Sequence, residues 1–185
     1  NSRRSDYAPM YAPGETDILY FTTTNEHVNG TKKSEITGMK KGDIWMSRKN
    51  ERGERLRPEA VEGELNTEFD EGIISFSPDG SLMYLTRARR EPNAPTSVEI
   101  FTSSRSDAKW SAPQKLEITA DTISVYAHPA VSPDGNYLYF TSDMPGGEGG
   151  RDIWRINLKD QVGSLENLGK WINTPGDEMF PYMRT

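Results

Sequence analysis

One phrase is written three times along this chain and begun a fourth. Tyr7 to Thr23 reads YAPMYAPGETDILYFTT, Gly72 to Arg87 reads GIISFSPDGSLMYLTR and Ala127 to Ser142 reads AHPAVSPDGNYLYFTS, while Met179 to Thr185 opens another copy as MFPYMRT. A chain that repeats itself builds one small unit several times and stacks the copies, because no single copy can bury its own apolar face. A second phrase follows each copy: Asp43-Ile44-Trp45, Glu99-Ile100-Phe101 and Asp152-Ile153-Trp154, each an acid, an Ile and an aromatic. A third, N-T-x-x-D-E, precedes two of them, as Asn66-Thr67 with Asp70-Glu71 and Asn173-Thr174 with Asp177-Glu178.

Residue types turn these phrases into elements. Ser-Pro-Asp-Gly sets Pro where a tight turn begins and Gly where φ becomes positive, so Ser77 to Gly80 and Ser132 to Gly135 are hairpin tips. The first copy carries Ala12-Pro13-Gly14-Glu15-Thr16 there, one residue longer, and a different turn is expected. Leu82 to Leu85 and Tyr137 to Phe140 are apolar throughout, the mark of strands packed on both faces. The acid-Ile-aromatic phrase makes a third strand, and Trp110 to Ile118 and Leu165 to Ile172 suit short outer strands. Tyr20, Tyr84 and Tyr139 recur after 64 and 55 residues, against ~40 to 50 for common propeller repeats, so the spare length is loop.

The predicted fold is all-β: a β-propeller of four-stranded antiparallel blades, about three and a half of them within a single domain over 1–185. The repeats run 6–69, 70–123 and 124–175, with a next blade starting at 176–185 and a strand expected at Phe180 to Met183. Tyr20, Tyr84 and Tyr139 should occupy equivalent buried positions. A propeller needs at least about four blades to close, which makes the chain part of a larger one. Starting at Asn1-Ser2-Arg3 without a Met, it reads as a mature or excised piece.

Charge and composition narrow the function. A net charge of -6 argues against sequence-independent nucleic-acid binding, which depends on Lys and Arg set against phosphates. No apolar run approaches the ~20 residues of a membrane-spanning helix. With 0 Cys there are no disulfides or thiolate metal ligands. Only His27 and His128 are present, too few for a polyhistidine metal site, and no Gly-x-Ser-x-Gly elbow appears. Gly146 to Arg151 (GGEGGR) lacks the Lys-Ser/Thr and helix of a phosphate loop and reads as a turn between strands. Neither a catalytic residue nor a cofactor is expected.

The residues SPDG, LYFTS and a following DIW resemble the TolB-like (WD40-like) propeller repeat over nearly the whole chain. The stretch SPDGNYLYFTSDMPGGEGGRDIW, Ser132 to Trp154, with INTPGDEMFP at Ile172 to Pro181, is similar to the propellers of Bacteroidota OmpA-family envelope proteins of the type IX secretion machinery. That resemblance implies a periplasmic, outer-membrane-associated scaffold that binds protein partners, with neighbouring domains outside this chain.

Two groups of residues are candidates for function. Loops of unequal length, Thr22 to Gly42, Arg87 to Val98 and Ser142 to Arg151, share one face and carry Lys40, Lys41, Arg87, Arg89, Arg90 and Arg151. Basic side chains on such loops suit capture of an acidic protein partner. Asp70, Glu71, Asp177 and Glu178 lie nearer the centre, giving an acidic hub within a basic rim. They either hold a divalent cation, which would favour an enzyme or a saccharide-binding propeller, or bond the backbone of an adjoining blade.

Overall fold

In the computed structural model, which describes residues 5–24, 41–89, 97–160 and 164–184, the chain forms three antiparallel sheets in sequence order. The first sheet holds β1 (Asp6–Tyr11), β2 (Ile18–Thr23), β3 (Asp43–Arg48) and β4 (Glu59–Ala60). The second holds β5 (Asp70–Phe76), β6 (Leu82–Arg89), β7 (Ser97–Ser106), β8 (Lys109–Trp110) and β9 (Gln114–Lys115). The third holds β10 (Tyr126–Val131), β11 (Tyr137–Ser142), β12 (Asp152–Asn157) and β13 (Glu166–Asn167). The outer strands are only two residues long, so they present little open edge for unwanted pairing.

The hairpin tips follow the predicted turn chemistry. Gly80 N donates to Ser77 O at 2.8 Å and Gly135 N to Ser132 O at 2.9 Å, both glycines at φ +70. The first copy does differ: its left-handed glycine, Gly14 at φ 75, follows Pro13 directly and Glu15 N closes on Ala12 O.

One feature of every first strand escapes the sequence reading. The pairing of β1, β5 and β10 with the following strand slips between Tyr7 and Met10, Gly72 and Ile74, and Ala127 and Ala130. At each slip sits a non-glycine residue in the left-handed region: Ala8 (φ 52), Ile73 (φ 43) and His128 (φ 55), with Phe180 (φ 58) at the matching place in the fourth copy. The extra residue is a β-bulge that bends the strand, and the strained backbone is held by the packing around it.

Each sheet buries its apolar side chains against its neighbour, not within itself. Tyr20, Ile44 and Met46 of the first sheet pack with Ile74, Phe76, Met83 and Trp110 of the second. Tyr84 and Ile100 of the second pack with Tyr126, Leu138, Phe140 and Trp154 of the third. Phe76 meets Tyr20 edge-on at 5.1 Å and Trp110 covers both at 5.9 and 6.4 Å. Successive hairpin tips also touch, since Gly80 lies against Pro13 and Gly135 against Pro78.

Two expectations need correction. Tyr20, Tyr84 and Tyr139 do hold one register position, but only Tyr20 and Tyr84 are buried. Tyr139 is half-buried because it faces away from the second sheet, toward a side that no further sheet covers among the described residues. Phe180 to Met183 form no strand, since there is no second strand beside them to pair with.

Candidate functional site

The N-T-x-x-D-E phrase folds into a latch between consecutive sheets. At the first junction Asn66 accepts from Ile44 N at 2.8 Å and donates to Ile44 O at 2.9 Å, so one amide group extends the edge of β3. Asp70 accepts from Gly42 N at 2.8 Å and Glu71 N donates to Gly42 O at 2.9 Å, tying the start of β5 to the start of β3. The Glu71 carboxylate turns back on its own linker, accepting from Thr67 N at 3.2 Å and from the Thr67 hydroxyl. Opposite it stands the Arg87 Nε at 2.9 Å, with the guanidinium 4.4 Å from the Phe101 ring and 5.8 Å from Phe69.

The third sheet repeats the device with the same residue types. Asn173 accepts from Ile153 N at 2.8 Å and donates to Ile153 O at 3.0 Å. Asp177 accepts from Arg151 N at 2.9 Å, Glu178 N donates to Arg151 O at 2.6 Å, and Glu178 accepts from the Thr174 amide and hydroxyl. Of the four acids singled out in the sequence, Asp70 bonds the backbone of the adjoining sheet and Asp177 that of Arg151, while the Glu71 and Glu178 carboxylates turn back on the threonines of their own phrase.

Between the second and third sheets the latch is altered. Leu116 N donates to Ile100 O as Val61 N does to Ile44 O and Leu168 N to Ile153 O, which puts Asp121 to Tyr126 (DTISVY) in register with the other two phrases. Asp121 stands where Asn66 and Asn173 stand, but its carboxylate has no N–H to give. It accepts from Ile123 N and from the Ser124 amide and hydroxyl, leaving a narrow cleft lined by Ile100, Leu116, Thr119 and Tyr126. A 2.7 Å hydrogen bond between Thr119 and the Tyr126 hydroxyl stands in for the Thr-Glu contact. His128 N donating to the Thr86 hydroxyl and Val131 N to Ser75 fasten this junction nearer the inner strands.

Burial governs the electrostatics. It pushes the Glu71 carboxyl up to about 7, against the opposing pull of the Thr67 hydroxyl and Arg87. It pushes His128 down to about 4, helped by the Arg151 charge. Asp79 at a hairpin tip goes the other way, to about 2, because the Ser77 and Ser81 groups donate to it.

The predicted basic rim is only partly a rim. Arg87 does not lie on a loop: β6 runs through Arg89 and β7 begins at Ser97, so strand pairing occupies both ends of the segment assigned to a loop. Its side chain is buried at 6% exposure against Glu71, which makes it a core cation. Lys41 donates to Glu68 O at 2.6 Å, and Arg151 gives its backbone to the latch. Arg87 therefore stands against an acid of the first latch and not on a rim apart from it. Lys40 and Arg90 lie outside the described residues, as does the side chain of Arg89.

No protein-family model matches the chain, and no curated protein does. Among solved structures, TolB from Acinetobacter baumannii is similar at 23% identity and a TM-score of 0.50, over 91% of this chain and 33% of that one. The fold is a TolB-like β-propeller fold. This chain spans a third of that protein's length, so what it presents is part of such a ring. A putative TolB from Agrobacterium tumefaciens (16% identity, TM-score 0.46, covering 91% and 63%) is also similar. So is an α-L-arabinofuranosidase from Lactobacillus brevis (12%, 0.48, covering 88% and 54%). No helix among the described residues is long and apolar enough to cross a membrane.

Proposed function

We propose that this TolB-like propeller segment is a non-catalytic scaffold that binds protein partners in the periplasm of a bacterial cell envelope. The assembly would be outer-membrane-associated, of the kind in which PorE serves the type IX secretion system. One observation supports the reading: the acids singled out for chemistry are occupied by partners within the fold, Asp70 and Asp177 by backbone amides, Glu71 by the Thr67 hydroxyl and the Arg87 guanidinium, and Glu178 by the Thr174 hydroxyl. A carboxylate committed to such partners is not free to exchange protons with a substrate.

The partner-binding residues in this reading are Lys40, Lys41, Arg89, Arg90 and Arg151, drawn from the segments that the sequence reads as loops of unequal length. Arg87 is withdrawn from that set because it is buried. Replacing Lys40, Arg89 and Arg90 together with Ser should leave the melting curve in place and cut capture of an acidic partner from envelope extract at low salt, as rim charges act mainly through steering. Equal recovery by variant and parent at low salt would move binding to the hairpin-tip face. The alternative, a divalent-cation-dependent enzyme or saccharide-binding propeller, requires tight Ca²⁺ or Mn²⁺ binding that is lost on replacing Asp70 and Asp177. Calorimetric titration separates the two.

A further inference from the structure

The cleft between the second and third sheets lies where the two other latches each place a carboxamide. In the first latch the Asn66 oxygen accepts from Ile44 N, and its nitrogen donates to Ile44 O, which also receives Val61 N. In the third, Asn173 makes the same pair of bonds to Ile153, whose oxygen also receives Leu168 N. The Asn173 nitrogen has a second acceptor in Asn167 Oδ1 at 2.9 Å. Each Ile oxygen thus uses both lone pairs, and each Ile amide has its acceptor.

At the middle junction only part of this set is used. Ile100 O receives Leu116 N at 2.9 Å, which leaves one lone pair. Ile100 is fully buried, and among the described residues no carboxamide takes the place of Asn66 or Asn173 at its amide. A buried N–H without an acceptor is costly. Asp121 turned inward would set a carboxylate against Ile100 O with no proton to share. The Ser124 hydroxyl and the Ile123 amide hold it at the mouth of the cleft instead, and keep its carboxyl below the usual range, so it stays a charged acceptor there. The mouth differs too: Ile123, 93% exposed, stands where the first phrase has Glu68 and the third has Pro175.

We propose that this cleft takes the carboxamide of an asparagine from a partner polypeptide, with an apolar side chain next to that asparagine resting on Ile123. The asparagine oxygen accepts from Ile100 N, and its amide group donates to Ile100 O and to the Asp121 carboxylate, the set of bonds that Asn173 makes within the chain. An aspartate in its place would bring charge against charge and leave both acceptors unpaired. The inference deepens the scaffold reading and rests on it for the existence of a partner, but its chemistry is separate from that of the basic residues.

The test is a titration of the isotope-labelled full chain, followed by nuclear magnetic resonance at the Ile100 amide. The probe is the peptide acetyl-Leu-Asn-Thr methylamide, which repeats Leu65 to Thr67, and its Asp counterpart is the control. The Asn peptide should shift the Ile100 resonance saturably, and the Asp peptide should bind at least several-fold more weakly. Asp121→Asn fills the cleft from the linker, so that variant should lose the response. Ile123→Ser, an exposed change that leaves the fold alone, should weaken binding several-fold. A cleft that holds only water gives no saturable shift up to the solubility limit of the Asn peptide, and that result overturns the proposal. So does equal binding of the two peptides, or binding that Asp121→Asn and Ile123→Ser both leave intact. No envelope extract enters the measurement, so its failure is distinct from failure of partner capture.

Discussion

Glu71 and His128 are buried ionisable residues whose environments pull in opposite directions, and each leaves a pH signature. Glu71 is raised from 4.5 to about 7, so the folded chain holds its proton more tightly than the unfolded one. Its contribution to stability is present below pH 4.5 and is lost as pH rises through 7. His128 is lowered from 6.5 to about 4, so its contribution is present above pH 6.5 and is lost as pH falls through 4. Calorimetric melts at pH 4.5 and 7 separate them: relative to the parent, Glu71→Gln should gain on going to pH 7, and His128→Gln should gain at pH 4.5. Parallel shifts for both variants would refute the assignment. Ala8 makes a backbone test. Gly for Ala normally destabilises an element interior by ~0.5 to 1 kcal/mol, but at φ 52 the left-handed cost of ~1 to 2 kcal/mol is relieved. Ala8→Gly should therefore raise the melting temperature, and a fall would show that the bulge carries no strain.

At the scale of the element, the three junctions form a natural substitution series. Asn66 and Asn173 both accept from and donate to an Ile of the third strand, whereas Asp121 cannot donate. Asp121→Asn supplies a second donor for Ile100 O beside Leu116 N and should add about 0.5 to 1.5 kcal/mol, a typical net hydrogen bond. That corresponds to a rise of a few degrees in thermal melting, and hydrogen exchange at Ile100 should slow alongside. Trp154, 7% exposed in the core between the second and third sheets, should cost ~3 to 5 kcal/mol on truncation to Ala. Asp134→Ala, at an exposed tip, should change urea unfolding far less. The strands, tips and acid-Ile-aromatic phrase were legible in the sequence because each rests on local chemistry: a Pro-Asp-Gly turn or an apolar run packed on two faces. The latch was half legible. Its acids could be singled out by repetition, but the partners of Asp70 and Asp177 are main-chain groups 28 and 26 residues away, which no side-chain pattern announces. The altered copy at Asp121 was not legible at all, because only the Leu116 hydrogen bond puts the phrases in register. Arg87 was misplaced for a related reason: a charged residue after an apolar strand reads as loop unless its buried counter-ion is known.

Across the whole molecule, stability resides between sheets. Both hydrophobic clusters span two sheets, and neither belongs to one alone. A fragment covering residues 5–65 should therefore show no cooperative melting by circular dichroism, whereas the entire chain should. A fragment that melts cooperatively would mean that a sheet can stand on its own. The latch has a further consequence for how such chains change over generations. Because Asn66 to Glu71 fastens the third strand of one sheet to the first strand of the next, the heritable module is not the sheet seen in space. A duplication cut at the border of a sheet would part the fastener from what it fastens. A cut between matching points of two third strands would copy it whole, so rings of this kind should gain or lose members at a boundary offset from the visible blade.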